Sequence, residues 1–146
     1  TPFIRSHDGV LLYCDSKSDA AGVEFFAAAE WRSRTEEMRQ SWTEMGVDED
    51  DMPDWFHRGV VVGAIPHSGN YFVIQPDGEE AGHVFYCDHD DFKSEAMTAS
   101  IDDLLNLIVD NPPGFLYQCG CFTRYSDGKS EIQWIPKEYV SNCSGG

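Results

Sequence analysis

The residues of this sequence best suited to chemistry stand in two short runs, Cys87-Asp88-His89-Asp90-Asp91 and Cys119-Gly120-Cys121. Read as an extended strand, the first run puts Cys87 and His89 on one face and Asp88 and Asp90 on the other, because strand side chains alternate. Cys119 and Cys121 share a face by the same rule. A Cys/His zinc site follows if those two strands meet, since thiolate and imidazole are ligands that zinc takes. The spacing is Cys-x-Cys, however, rather than the Cys-x-x-Cys usual in structural zinc sites. Cysteines buried as small hydrophobes account for the same residues, and we assign no metal ligand. The aspartates lack the twelve-residue loop with alternating ligands that calcium takes, so a solvated acidic turn is the better reading. Ser68, in His67-Ser68-Gly69, lies between two strand-like runs, whereas a hydrolase elbow is Gly-x-Ser-x-Gly between a strand and a helix. No phosphate loop or dinucleotide fingerprint is present. The expectation is a chain with no catalytic residue and no cofactor. A small metal-dependent or hydrolytic enzyme working through Cys87 to Asp91 stands as the alternative, because sites assembled from distant residues leave no local motif.

Acidic side chains are the more telling population. Asp and Glu number 26 against 10 Lys and Arg, a net charge of −16. That balance argues against direct nucleic-acid contact, which Lys and Arg drive by releasing counterions from phosphates. Asp48, Glu49, Asp50, Asp51 and Asp54 precede Trp55-Phe56. Asp77, Glu79 and Glu80, then Asp88, Asp90 and Asp91, fall at expected strand ends, and no Lys or Arg occurs between Gly59 and Phe92. The pattern suits a basic partner protein, with Trp55 and Tyr71 as aromatic anchors and Asp77, Glu79, Glu80, Asp88, Asp90 and Asp91 as a negative face around them. Solvated loops and plain solubility account for the same acids taken one at a time.

The elements that must position these groups are legible from periodicity and turn chemistry. Phe3-Ile4-Arg5 reads as a helix end closed at Asp8-Gly9. Val10 to Tyr13 and Gly22 to Phe26 read as short strands. From Ala28 to Met45 the spacing of Trp31, Thr35, Met38, Trp42 and Met45 predicts an amphipathic helix with these residues in the core. An acidic loop, Gly46 to Pro53, follows, and then Trp55-Phe56 folds back onto the core. Gly59 to Ile65, Asn70 to Gln75 and His83 to Cys87 read as antiparallel strands joined by turns at His67-Ser68-Gly69 and Pro76-Asp77-Gly78. Ser100-Ile101-Asp102-Asp103 has the form of a capping box and opens a helix with Ile101, Leu104, Leu105 and Ile108 inward; Asn111-Pro112-Pro113-Gly114 stops it. Phe115 to Tyr125 and Glu131 to Ile135 read as a hairpin or loose edge. The layout is α+β, a mainly antiparallel sheet with helices packed to one side, and one domain spanning 1–146.

In its order of elements the chain resembles the SUKH superfamily, whose best-known members are the Smi/Knr cell-wall regulators of yeast and many bacterial toxin-immunity proteins. Phe3 to Gly9 resembles the family's helix end. Val62-Gly63-Ala64-Ile65-Pro66-His67-Ser68-Gly69-Asn70-Tyr71-Phe72-Val73-Ile74 resembles its glycine-marked turn and strand pair. Gly82-His83-Val84-Phe85-Tyr86-Cys87-Asp88-His89-Asp90 and Ala99 to Leu105 resemble a later strand and helix start. A single Gly9 stands where a glycine pair is usual, and Asn70 where an acid is common. The resemblance implies an antiparallel sheet flanked by helices, a first helix lying mostly upstream of Thr1, and a protein-binding role. It carries over no functional residue. The implied function is an immunity protein that binds and neutralises a basic, nuclease-like toxin, or else an intracellular regulatory scaffold.

Composition agrees with a cytoplasmic setting. The longest clean apolar run, Val60 to Ile65, is far short of the ~20 residues of a membrane-spanning helix. The opening residues form no signal peptide, and five cysteines, Cys14, Cys87, Cys119, Cys121 and Cys143, cannot all pair within one chain. Free thiols are the expectation.

Overall fold

The apolar run Val60–Ile65 becomes the middle strand of a five-stranded sheet in the computed structural model, which describes residues 8–12, 22–66, 68–92 and 95–119. The strands are β1 (Val10–Leu12), β2 (Val23–Phe25), β3 (Val60–Ile65), β4 (Asn70–Ile74) and β5 (Val84–Cys87), each antiparallel to the next in chain order. Four helices accompany them among the described residues: α1 (Trp31–Glu44), α2 (Asp54–Arg58), α3 (Ile101–Asp110) and α4 (Pro112–Gln118). The α+β class and the three consecutive antiparallel strands β3 to β5 are as the sequence implies. The helix end at Phe3–Arg5, Tyr13, His67 and the tail from residue 120 lie outside the described residues.

The helices do not pack to one side, which corrects that expectation. α3 and α4 cover one face through Ile101, Leu104, Ile108, Phe115 and Leu116, against Val23, Phe25, Val62, Ile65, Phe72 and Val84. α1 and α2 cover the other through Met38, Trp42, Trp55 and Phe56, against Val61, Ala64, Val73, Phe85 and Cys87. Burial on both faces is why β3 reads as an unbroken apolar run instead of alternating.

Strand β3 also departs from strict alternation. Val61 and Ala64 face the α1 layer while Val62 and Ile65 face the α3 layer, because the β3–β4 register shifts between Val61 and Gly63. An extra residue at a bulge moves every later side chain to the opposite face. A Cβ on Gly63 would lie 2.6 Å from the Glu24 carbonyl oxygen, so the close approach of β2 requires glycine there. At the irregularity the backbone N–H of Val61 finds its acceptor in α1: it donates to Thr35 Oγ1 at 2.9 Å.

The capping readings divide. Ser100 caps α3 as expected, its side chain accepting from the Asp103 backbone N–H at 3.1 Å. Leu105 is only half-buried. Asn111 does end α3, but it also starts α4: its Oδ1 accepts from the Gly114 backbone N–H at 3.2 Å, with Pro112 at the first helical position. Asparagine followed by proline is a start signal as much as a stop signal. The expected hairpin from Phe115 is therefore helical as far as Gln118, and the ring of Phe115 stacks on Phe72 at 5.9 Å.

Candidate functional site

The C-terminus of α1 sets one wall of the site. Gly46, at φ +91°, donates to the Thr43 carbonyl and Val47 donates to the Trp42 carbonyl, the paired bonds by which a left-handed glycine closes a helix. Met45 is the residue just before that reversal. Met45 is 57% exposed, which corrects its place in the core stripe; Thr35, Met38 and Trp42 are buried as expected, and Trp31 is half-buried. Asp48 then accepts from the Asp50 backbone N–H at 3.1 Å and opens a 3-10 turn, Glu49–Asp51, leaving Met52 directed into the core.

The opposite wall is the turn after β5. Asp88 Oδ1 accepts from the Asp90 backbone N–H at 2.9 Å, and the Asp91 N–H closes on the Asp88 carbonyl, so the solvated acidic turn forms. Asn70 anchors it from β4. Its Oδ1 accepts from the His89 backbone N–H at 3.1 Å and lies 2.6 Å from His89 Nδ1. Its amide donates to the Tyr86 hydroxyl at 2.7 Å, and that hydroxyl donates to the Cys119 carbonyl at 2.8 Å. Since Asn70 Oδ1 only accepts, Nδ1 of His89 carries the proton toward it. Phe92 follows, 37% exposed, its ring 5.2 Å from that of Trp42.

Between these walls lies a groove of about 450 Å³ lined by Met45, Val47, Asp48, Asp51, Met52, His89 and Phe92 together with Gly46. Two acidic segments some forty positions apart thus converge on one partly apolar groove. Sequence reasoning marked both acidic segments but missed Met45 and Phe92. The signal for Met45 was its place beside the glycine that ends the helix.

The remaining candidates are dispersed. Trp55 is 1% exposed and packs edge-on against Trp42 at 5.8 Å, so it is a core residue and not an exposed anchor. The short helix α2 turns Trp55 and Phe56 inward and leaves Asp54, His57 and Arg58 outside. Tyr71 lines a separate recess of about 300 Å³ with Glu24, Arg34 and Glu37. Burial, with the Glu37 charge added, raises its phenol pKa above the ordinary value. Asp77 pairs with Arg58, and Glu79 and Glu80 are exposed in the same β4–β5 turn. That turn and the Asp88–Asp91 turn sit at opposite ends of β5, whose four residues span about 13 Å. The acids from Asp77 to Asp91 therefore form two patches and not one continuous face.

The cysteine arrangement also differs from the strand reading. Cys87 belongs to the α1 layer and Cys119 to the α3 layer, on opposite faces of the sheet, so these two cannot ligate one ion. Both are buried, and burial holds the Cys87 thiol well above its ordinary pKa. Cys121 lies outside the described residues. Ligand atoms of Asp88, His89 and Asp90 lie within 4.8 Å of one another, with His89 Nε2 3.4 Å from Asp90 Oδ1.

Fold and groove together define an α+β protein with an acidic, partly apolar surface cleft. Comparison with protein-family models, curated proteins and solved structures gives no match to this chain. No helix among the described residues is long and apolar enough to cross a membrane.

Proposed function

We propose that this chain is a protein-binding module of the SUKH type, acting in the cytoplasm as an immunity protein that holds a basic, nuclease-like toxin and covers its active surface. The observation that carries the reading is the convergence of the Asp48–Asp51 and Asp88–Asp91 segments around an open groove with exposed apolar side chains. Binding surfaces combine an apolar centre with a polar rim, and charge of one sign steers a partner of the other. The described arginines support the same polarity. Arg32, Arg34 and Arg39 lie along α1 before its last turn and Arg58 ends α2, and none of the four lines the groove.

The test is binding kinetics against the product of the adjacent toxin-like reading frame across a salt series. Association is fast at low salt and slows as salt rises, because screening shortens the reach of these charges to about 8 Å at physiological ionic strength. Reversal of Asp90 and Asp91 to Lys acts chiefly on the association rate. Binding indifferent to salt and to both reversals removes the reading.

A further inference from the structure

The groove between α1 and the Asp88–Asp91 turn has a composition that selects its occupant. Its two walls carry Met45 and Phe92, two of the four large apolar side chains exposed among the described residues. Asp48 and Asp51 line it on one side, and on the other His89, whose sequence neighbours Asp88 and Asp90 place their carboxylates close to its ring. No described Lys or Arg lines it. The last turn of α1, whose end adjoins the groove at Met45 and Gly46, contains no basic residue, so the negative end of the helix dipole adds to the local potential. A volume of about 450 Å³ lies within the range of ligand clefts and is open along its length.

We propose that this groove docks a short cationic segment of the partner protein. An apolar side chain of that segment sits between Met45 and Phe92, and its flanking Arg or Lys residues reach Asp48, Asp51 and Asp90. The inference rests on the protein-binding reading above and names the chemistry recognised. Charge complementarity favours this occupant over the alternatives. A nucleic-acid backbone is repelled by the rim, and a second copy of a chain of net charge −16 brings like charge to it. Asp48 and Asp51 stand on the opposite wall from the Asp88-His89-Asp90 cluster, with Met45, Val47, Met52 and Phe92 also lining the groove, and a divided acidic rim with an apolar lining suits a chain segment better than a single cation.

The groove is tested with a labelled eight-residue peptide bearing a central leucine flanked by two arginines on each side, titrated by fluorescence anisotropy into the full chain. Two control peptides replace the leucine by alanine or the arginines by glutamate. Saturable binding of the first peptide is expected, with the alanine peptide weaker by about fivefold and the glutamate peptide not bound. Met45→Ser weakens binding by about fivefold, and its exposed position leaves the core intact. The double variant Asp48→Asn/Asp51→Asn weakens binding by roughly three- to tenfold. The pair Glu79→Gln/Glu80→Gln, at the far end of β5, stays within about twofold of the parent. Absence of saturable binding overturns the proposal. So does equal binding of the leucine and alanine peptides, or a far-end effect as large as that at the groove. The peptide titration needs no cognate partner, so the two readings fail separately. A native partner bound equally by the parent, Met45→Ser and Asp48→Asn/Asp51→Asn proteins removes the groove and leaves the binding function standing.

Discussion

Thr35→Val isolates a single hydrogen bond between two layers of the fold. The Thr35 hydroxyl donates to the Trp31 carbonyl at 2.6 Å and accepts from the Val61 N–H at 2.9 Å, and both Thr35 and Val61 are buried. Valine keeps the shape and has nearly the same helix propensity, so propensity contributes little. The Trp31 carbonyl belongs to the helix ladder and loses only a second donor. The Val61 N–H loses its acceptor where water does not reach, a cost of about 1–3 kcal/mol. We expect a loss of about 2 kcal/mol, and at about 2–4 °C per kcal/mol for a chain of this size the melting temperature falls by roughly 4–8 °C. Thr35→Ser keeps the acceptor and loses one buried methyl, about 1 kcal/mol. Urea unfolding followed by fluorescence of the buried Trp42 and Trp55 measures the difference. Amide exchange gives the mechanism: the Val61 N–H loses protection in Thr35→Val and keeps it in Thr35→Ser. A valine variant as stable as the parent, or a serine variant with the same exposed amide, refutes the reasoning.

Two further outcomes follow from the same structure. Arg39 donates to the carbonyls of Phe56, His57 and Gly59, tying α1 to the end of α2, so Arg39→Met costs about 1.5–3 kcal/mol and opens the chain near Gly59 to limited proteolysis; unchanged stability and cleavage would count against that role. Burial raises the folded Cys87 pKa above its unfolded value of about 8.5, so the native state keeps a proton that the unfolded state releases. Its contribution is fully present below that pH and declines above it by up to about 1.4 kcal/mol per pH unit, and Cys87→Ala flattens the decline in urea midpoints measured from pH 7.5 to 10.

Much of the fold was legible because it is written in local chemistry. The period of Thr35, Met38 and Trp42 marks a helix, Ser100 marks its neighbour's start, and short turns at Ser68-Gly69 and Asp77-Gly78 force antiparallel pairing of β3, β4 and β5. These are interactions among residues close in sequence, so composition and spacing contain them. The acidity of both segments that meet at the groove was equally plain.

Tertiary structure decided the rest. Whether an apolar residue is inside depends on what covers it: Trp55 is sealed against Trp42 while Met45, in the same stripe as Trp42, is left exposed. Asn111-Pro112 carries both a stop and a start, and only the apolar surface awaiting Phe115 and Leu116 selects the second helix. The bulge at Val61 and Gly63 reverses which face each later β3 residue meets, and that choice is fixed by β2 and Thr35, residues distant in sequence. The separation of Asp77 from Asp88, and the meeting of Asp48 with His89, follow from the length of β5 and the path of α1. No local spacing encodes those distances, because they arise only when the two helical layers close on the sheet.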